Sequence, residues 1–243
     1  MITTTPPTIE VLYGPSPIDW CEPNRPQTNP LHVQELHNTW TNISYVIAGF
    51  ALIPKLNRCN PLYQFYVLSI VMTGLTSAWF HATLIFISQK SDEFFENAAV
   101  VSLLYAQLSD PISTTKSQKA NLFFLFSLHV TLLGLGVVFI PSVFCELHLI
   151  TVVLATFTCA TRRVSSLPLA ADRNAVLSHF KSALLCAAAG FGCWMLDFFL
   201  CHEMQGLYLH AFAWHPLTAL ALYKGGDGSI CLDEKLIRMK KTL

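Results

Sequence analysis

Seven apolar stretches separated by short polar breaks run through the chain: Asn38–Pro54, Leu62–Leu84, Phe94–Leu108, Leu122–Ile140, Leu147–Ala160, Ser182–Leu200 and Leu207–Tyr223. A helix needs about 20 apolar residues to cross a bilayer, and these runs approach or reach that length. The pattern predicts an all-α membrane protein, a seven-transmembrane helix bundle over residues 38–223. Residues 1–37 form a polar, proline-rich segment before it, and residues 224–243 a polar tail after it. Prolines punctuate the breaks, at Pro54, Pro61, Pro111 and Pro168. The first polar segment has no apolar core of the kind a cleaved signal carries, so the first span is expected to direct insertion.

Composition agrees with the pattern. The chain is 53% hydrophobic and 12% charged, against about 25% charge in soluble domains. Net charge is zero, which says nothing about nucleic acid, and with no basic patch to invite it no nucleic-acid partner is expected. The distribution of charge matters more. If residues 1–37 face the lumen, the opposite side carries Lys55, Arg58, Lys116, Lys119, Arg162, Arg163, Arg173, Lys181 and the basic tail from Lys224 to Lys241. Only Arg25 and Lys90 fall on the lumenal side. The positive-inside rule then predicts a lumenal N-terminus and a cytosolic C-terminus.

Polar groups at membrane depth are costly and read as functional. In the stretch SAWFHATLIFISQKSDE, Ser77 and His81 are four residues apart and share one helix face. After a polar break at Gln89–Ser91, Asp92 is expected to open the third span, where a helix N-terminus favours its ionised form. Asp197 lies near the lumenal end of the sixth span, and LYLHAFAWHPLTAL in the seventh contains His210 and His215. Separate segments thus deliver ionisable groups to one layer of the bilayer. Three neutral imidazoles suit a catalytic zinc ion with one open position, with Asp92 as general base and Ser77 as a donor to a developing oxyanion. Asp197 is expected to orient a histidine or shape the pocket.

One spacing stands against this. Five residues turn a regular helix by about 500°, leaving His210 and His215 on different faces. A π-bulge, favoured by the missing backbone donor of Pro216, would absorb one residue and bring them together. Upstream, DWCEPN and Glu35 place Asp19, Glu22, Asn24 and Glu35 in one oxygen-rich segment suited to a hard cation such as calcium, without EF-hand spacing. Asn42-Ile-Ser44 fits a glycosylation sequon but lies inside the first apolar run, which excludes a sugar. Cys21 and Cys201 fall on the proposed oxidising side, as does Cys145, so the pairing stays open, while Cys59 and Cys231 face the cytosol.

Taken together, DWCEPN with Glu35 and NTWTN, Ser77–His81, Asp92–Glu93 and the C-terminal pair of histidines resemble the alkaline ceramidases. That family sits in a wider group of seven-span hydrolases that includes the adiponectin-receptor-like proteins. The resemblance covers nearly the whole chain. It implies hydrolysis of the ceramide amide to a sphingoid base and a fatty acid, with zinc on His81, His210 and His215 and catalysis assisted by Ser77 and Asp92. It also implies calcium on Asp19, Trp20 (through its carbonyl), Glu22, Asn24 and Glu35, and a disulfide between Cys21 and Cys201. The family reads HxxxH where this chain reads HAFAWH. The alternatives are an adiponectin-receptor-like lipid or ligand receptor, and an inactive relative with structural zinc. The terminal KKTL resembles a dilysine retrieval signal, which points to the endoplasmic reticulum or Golgi.

Overall fold

The computed structural model describes residues 9–25, 33–56, 60–111, 114–204 and 206–242; the expectations for Arg58 and Cys59 lie outside them. Among these residues the architecture is helical: α1 (Ile9–Leu12), α2 (Leu36–Thr41), α3 (Ile43–Leu52), α4 (Pro61–Thr83), α5 (Phe86–Leu108), α6 (Lys116–Gly136), α7 (Ser142–Val164), α8 (Ala170–Phe199), α9 (Cys201–Met204) and α10 (His215–Thr242). A π-helical turn, His210–Trp214, leads into α10. Four helices are long and apolar enough to cross a membrane, namely α4, α6, α7 and α8.

Their surfaces fit that role. On α6, Phe123, Phe124, Leu125, Leu128, Leu132 and Leu135 point outward, leaving only Phe126 and Leu133 buried. A contiguous apolar exterior is uncommon on a soluble monomer and natural against lipid. α4 is the central element, packed on α5, α3 and α2, while α10 lies against α8 and α3. Gly74 sets one of these approaches: a Cβ there would stand 2.9 Å from the Asn42 carbonyl oxygen. Only glycine lets α4 ride so closely on the junction between α2 and α3.

The third apolar segment differs from expectation. Its helix begins at Phe86, eight residues before Phe94, and the Gln89–Ser91 break is helical. Those polar side chains hold one another below the surface. Glu93 accepts from Gln89 (2.5 Å), from Lys90 (2.8 Å) and from Ser142 (2.5 Å), and Lys90 is only 3% exposed. The true break is at Leu84, which caps α4 in the left-handed conformation at φ 51°. Asp92 therefore sits in the second turn of α5 rather than at its N-terminus.

The N-terminal segment closes this end of the molecule. The last carbonyls of a helix lack partners within it, and here the segment supplies them. Glu35 N–H donates to the His81 carbonyl (3.0 Å), Gln34 N–H to Ala82 (3.1 Å) and Ser16 N–H to Leu84 (2.8 Å). Cys21 and Cys201 are joined in a disulfide with their Cα atoms 5.2 Å apart. Cys145 is a buried free thiol.

Candidate metal centre

α4, the π turn and the start of α10 bring His81, His210 and His215 into one buried cluster. One nitrogen from each lies within 4.8 Å of the others. Ring centroids are 5.0 Å apart for His81 and His210, 5.2 Å for His81 and His215, and 4.7 Å for His210 and His215. The extra residue in HAFAWH is absorbed where the sequence suggested, by π winding from His210 to Trp214. Each π turn takes one residue more than an α turn, so a spacing of five does here what four does on a regular helix.

The surroundings fix which nitrogen is free in two of the rings. His81 Nδ1 lies 2.6 Å from Glu35 Oε2, and its partner's carboxylate is fully buried. A carboxylate only accepts, so Nδ1 carries the proton and Nε2 keeps its lone pair. Thr41 does the same for His215 by a subtler route. Its hydroxyl donates to the His37 carbonyl (2.8 Å), so it accepts from His215 Nδ1–H at 2.8 Å. His215 Nε2 and His210 Nδ1 are buried without hydrogen-bond partners. Three buried imidazoles converging, two of them with unpartnered nitrogens, could hold a metal ion, and neutral imidazoles are donors that suit zinc.

Asp197 positions the π turn from α8. Its carboxylate accepts the His210 N–H (3.2 Å) and the Cys21 N–H (3.3 Å), tying the turn and the disulfide together. The Trp20 ring lies against His210, centroids 3.9 Å apart. One turn away from His81 on α4, the buried Ser77 hydroxyl donates to Asp92. The second Asp92 oxygen, Oδ1, is buried and unpartnered.

A model of the ceramidase family matches residues 13–240. The chain belongs to that family. It is 27% identical to the alkaline ceramidase of Drosophila melanogaster, across 86% of this chain and 75% of the relative. Against alkaline ceramidase 1 of Homo sapiens the identity is 28%, across 88% of this chain and 81% of the relative.

The family's expected calcium residues are distributed among several tasks. Both Glu22 oxygens accept backbone N–H groups at the start of α2, from His37 and Asn38, each at 2.7 Å. Glu35 holds His81 and accepts from Asn38 (3.0 Å), leaving Oε1 buried and unpartnered. Asp19 accepts from the Asn24 amide (3.1 Å) at the surface. Asp19, Glu22 and Glu35 do not converge as the three histidines do, the histidine group being the one such cluster among the described residues. Sequence reasoning missed Thr41. Its only signal is a threonine in NTWTN, and nothing local says that it will meet residue 215.

Proposed function

We propose that this member of the ceramidase family is a zinc-dependent intramembrane hydrolase that cleaves the amide bond of ceramide. The observation that carries the reading is the buried trio of His81, His210 and His215, with nitrogens left bare by Glu35, by Thr41 and by the π turn. Zinc held there supplies a Lewis acid and lowers the pKa of a bound water to about 7. The protein's own groups account for the rest. Asp92, with one oxygen unpartnered, takes the water proton as oxygen adds to the amide carbon. Ser77, which shares a face of α4 with His81, donates to the carbonyl oxygen as it gains charge. When the C–N bond breaks, Asp92 returns the proton to the leaving nitrogen, giving a fatty acid and a sphingoid amine. The apolar cavity beside His215, about 310 Å³ in volume, suits a lipid chain.

The wider reading places seven spans across the bilayer, with the histidine end lumenal and the C-terminus cytosolic, in the endoplasmic reticulum or Golgi. It is supported by the disulfide at one end and by the basic residues at the other. Asp19, the Trp20 carbonyl, Glu22, Asn24 and Glu35 are proposed to hold calcium, for which the free Glu35 Oε1 is the supporting atom. Glu35 belongs to both sets, so calcium would act on the orientation of His81.

Zinc content and ceramide hydrolysis of purified wild type beside His215→Ala test the core of this reading. Both properties are expected in wild type and lost in the variant. A variant that keeps zinc and activity would falsify the three-histidine site. A wild type with neither would favour an inactive or receptor-like relative.

A further inference from the structure

At the end of the molecule away from the histidines lies a second cavity, about 710 Å³ in volume, where the start of α4 meets the first turns of α6 and the last turns of α10. Pro61, in its wall, precedes His81 by twenty residues on α4, about 30 Å of helix. That is the thickness of a bilayer's hydrocarbon core, so on the seven-span reading above the cavity sits at the opposite interface. Its lining is divided by chemistry. On α6, Lys119 is followed four residues later by Phe123, and both line the cavity. On α10, Ile237 is followed four residues later by Lys241, with Arg238 beside them. Residues four apart share a helix face and differ by about 6 Å in height. α6 enters the molecule here and α10 leaves it, so each helix sets its cation outward of its apolar side chain. Leu62 and Leu122 complete the inner, apolar half.

Lys119, Arg238 and Lys241 are exposed, and among the described residues none of the three makes a salt bridge. Of the two acids in the wall, Asp233 is already held by Arg163 at 2.5 Å, which leaves Glu234 against three cations. The groove thus has surplus positive charge at its outer end and hydrocarbon further in. That is the order of groups in an anionic amphiphile. A soluble anion would meet the cations and leave Phe123, 55% exposed, uncovered. The apolar half continues into Phe124, Leu125 and Leu128 on the outward face of α6, so a lipid chain lying there stays in hydrocarbon while its headgroup reaches the lysines. We propose that this groove binds one anionic glycerophospholipid from the leaflet away from the histidine end. Its phosphate sits between Lys119 and the Arg238–Lys241 pair, and an acyl chain runs along Phe123 and Ile237. Basic residues at any membrane surface attract anionic lipid; the added chain slot makes binding here stoichiometric. The proposal rests on the membrane reading above and is independent of the reaction.

The test uses the full-length protein in micelles of an uncharged detergent, as wild type and three variants, with thermal denaturation confirming that each is folded. The groove variant carries Lys119→Gln, Arg238→Gln and Lys241→Gln; if it fails to fold, Lys119→Gln alone takes its place. A control removes as many charges outside the groove, through Arg162→Gln, Lys181→Gln and Lys240→Gln. The third variant carries Phe123→Gln and Ile237→Gln. Short-chain phosphatidylserine, short-chain phosphatidylcholine and glycerophosphoserine are titrated into each, and native mass spectrometry counts the lipids bound. Wild type is expected to bind one phosphatidylserine and to prefer it to phosphatidylcholine. Each basic residue near a membrane surface is worth about fivefold in affinity, so the groove variant should bind phosphatidylserine about tenfold or more weakly while the control stays near wild type. The third variant should lose affinity for the lipid but not for glycerophosphoserine. Equal losses in the groove and control variants overturn the proposal, because the whole basic face would then be the attraction. Glycerophosphoserine bound as tightly as the lipid overturns it too, leaving an anion site without a chain slot. Reconstitution into lipid nanodiscs is a separate arm: protein that does not co-elute with the bilayer sinks the membrane reading, and the micelle titration still decides the groove by itself.

Discussion

Thr41→Val removes one oxygen and nearly nothing else, and it probes the site through a residue remote from it in sequence. In the wild type, the Thr41 hydroxyl gives its proton to the His37 carbonyl and accepts from His215 Nδ1–H. Valine leaves that N–H buried beside a methyl group. An unpaired buried donor costs about 1–3 kcal/mol. The ring can escape the cost by shifting its proton to Nε2 or by turning, and either move removes the lone pair from the cluster. Loss of such supporting partners typically weakens metal binding about 10–100-fold, which is about 1.4–2.7 kcal/mol at 1.36 kcal/mol per tenfold and so agrees with the buried-donor figure. The assay is zinc affinity by chelator competition, with Thr41→Ser as control because serine keeps the hydroxyl. The expected order is wild type near Thr41→Ser, with Thr41→Val weaker by at least tenfold. Equal affinity in all three would refute the tautomer argument, and equal losses in both variants would assign the effect to packing of the methyl group.

Four further outcomes are expected. Deleting Ala213 shortens HAFAWH to a four-residue spacing; the π turn should become α-helical and zinc affinity should stay within about tenfold of wild type, whereas inserting an alanine there should abolish binding. Asp92→Asn should lower kcat by about 10²–10⁴ with zinc retained, as loss of a general base does; loss of zinc in parallel would reassign Asp92 to the scaffold. Cys21→Ser should lower thermal stability measurably, since disulfides typically contribute about 2–4 kcal/mol, with reductant producing the same shift in wild type and none in the variant. Lys235, bonded to Asp172 at 2.5 Å, has its pKa raised by that bond. Its contribution is therefore complete below the ordinary lysine pKa and fades as pH rises through the raised value, so Asp172→Asn should flatten the alkaline limb of the Tm profile.

The helices and the chemistry were legible to different degrees. Long apolar runs identify α4, α6, α7 and α8 because length and hydropathy are local properties. The start of α5 was hidden, since Gln89 to Ser91 read as a polar break, whereas Gln89 and Lys90 are bonded to Glu93 and to Ser142 on α7. Only tertiary structure reveals that partner. The histidines were legible as a set, and Pro216 hinted at the distortion that unites two of them. The roles of Glu35 and Thr41 were not legible. A glutamate in an acidic segment suggests a cation ligand, and its bond to His81 depends on how the segment crosses the end of α4.

The crossing of the N-terminal segment over the end of α4 also governs the order of assembly. Glu35 and Thr41 are made early, His81 midway, and Cys201, His210 and His215 late, yet they meet in one place. A nascent chain therefore lacks a complete histidine trio until the segment carrying His210 and His215 has emerged and folded back. On the zinc reading proposed above, truncated copies would be unable to capture the ion, and metal uptake would be a late checkpoint that reports on the integrity of nearly the whole polypeptide.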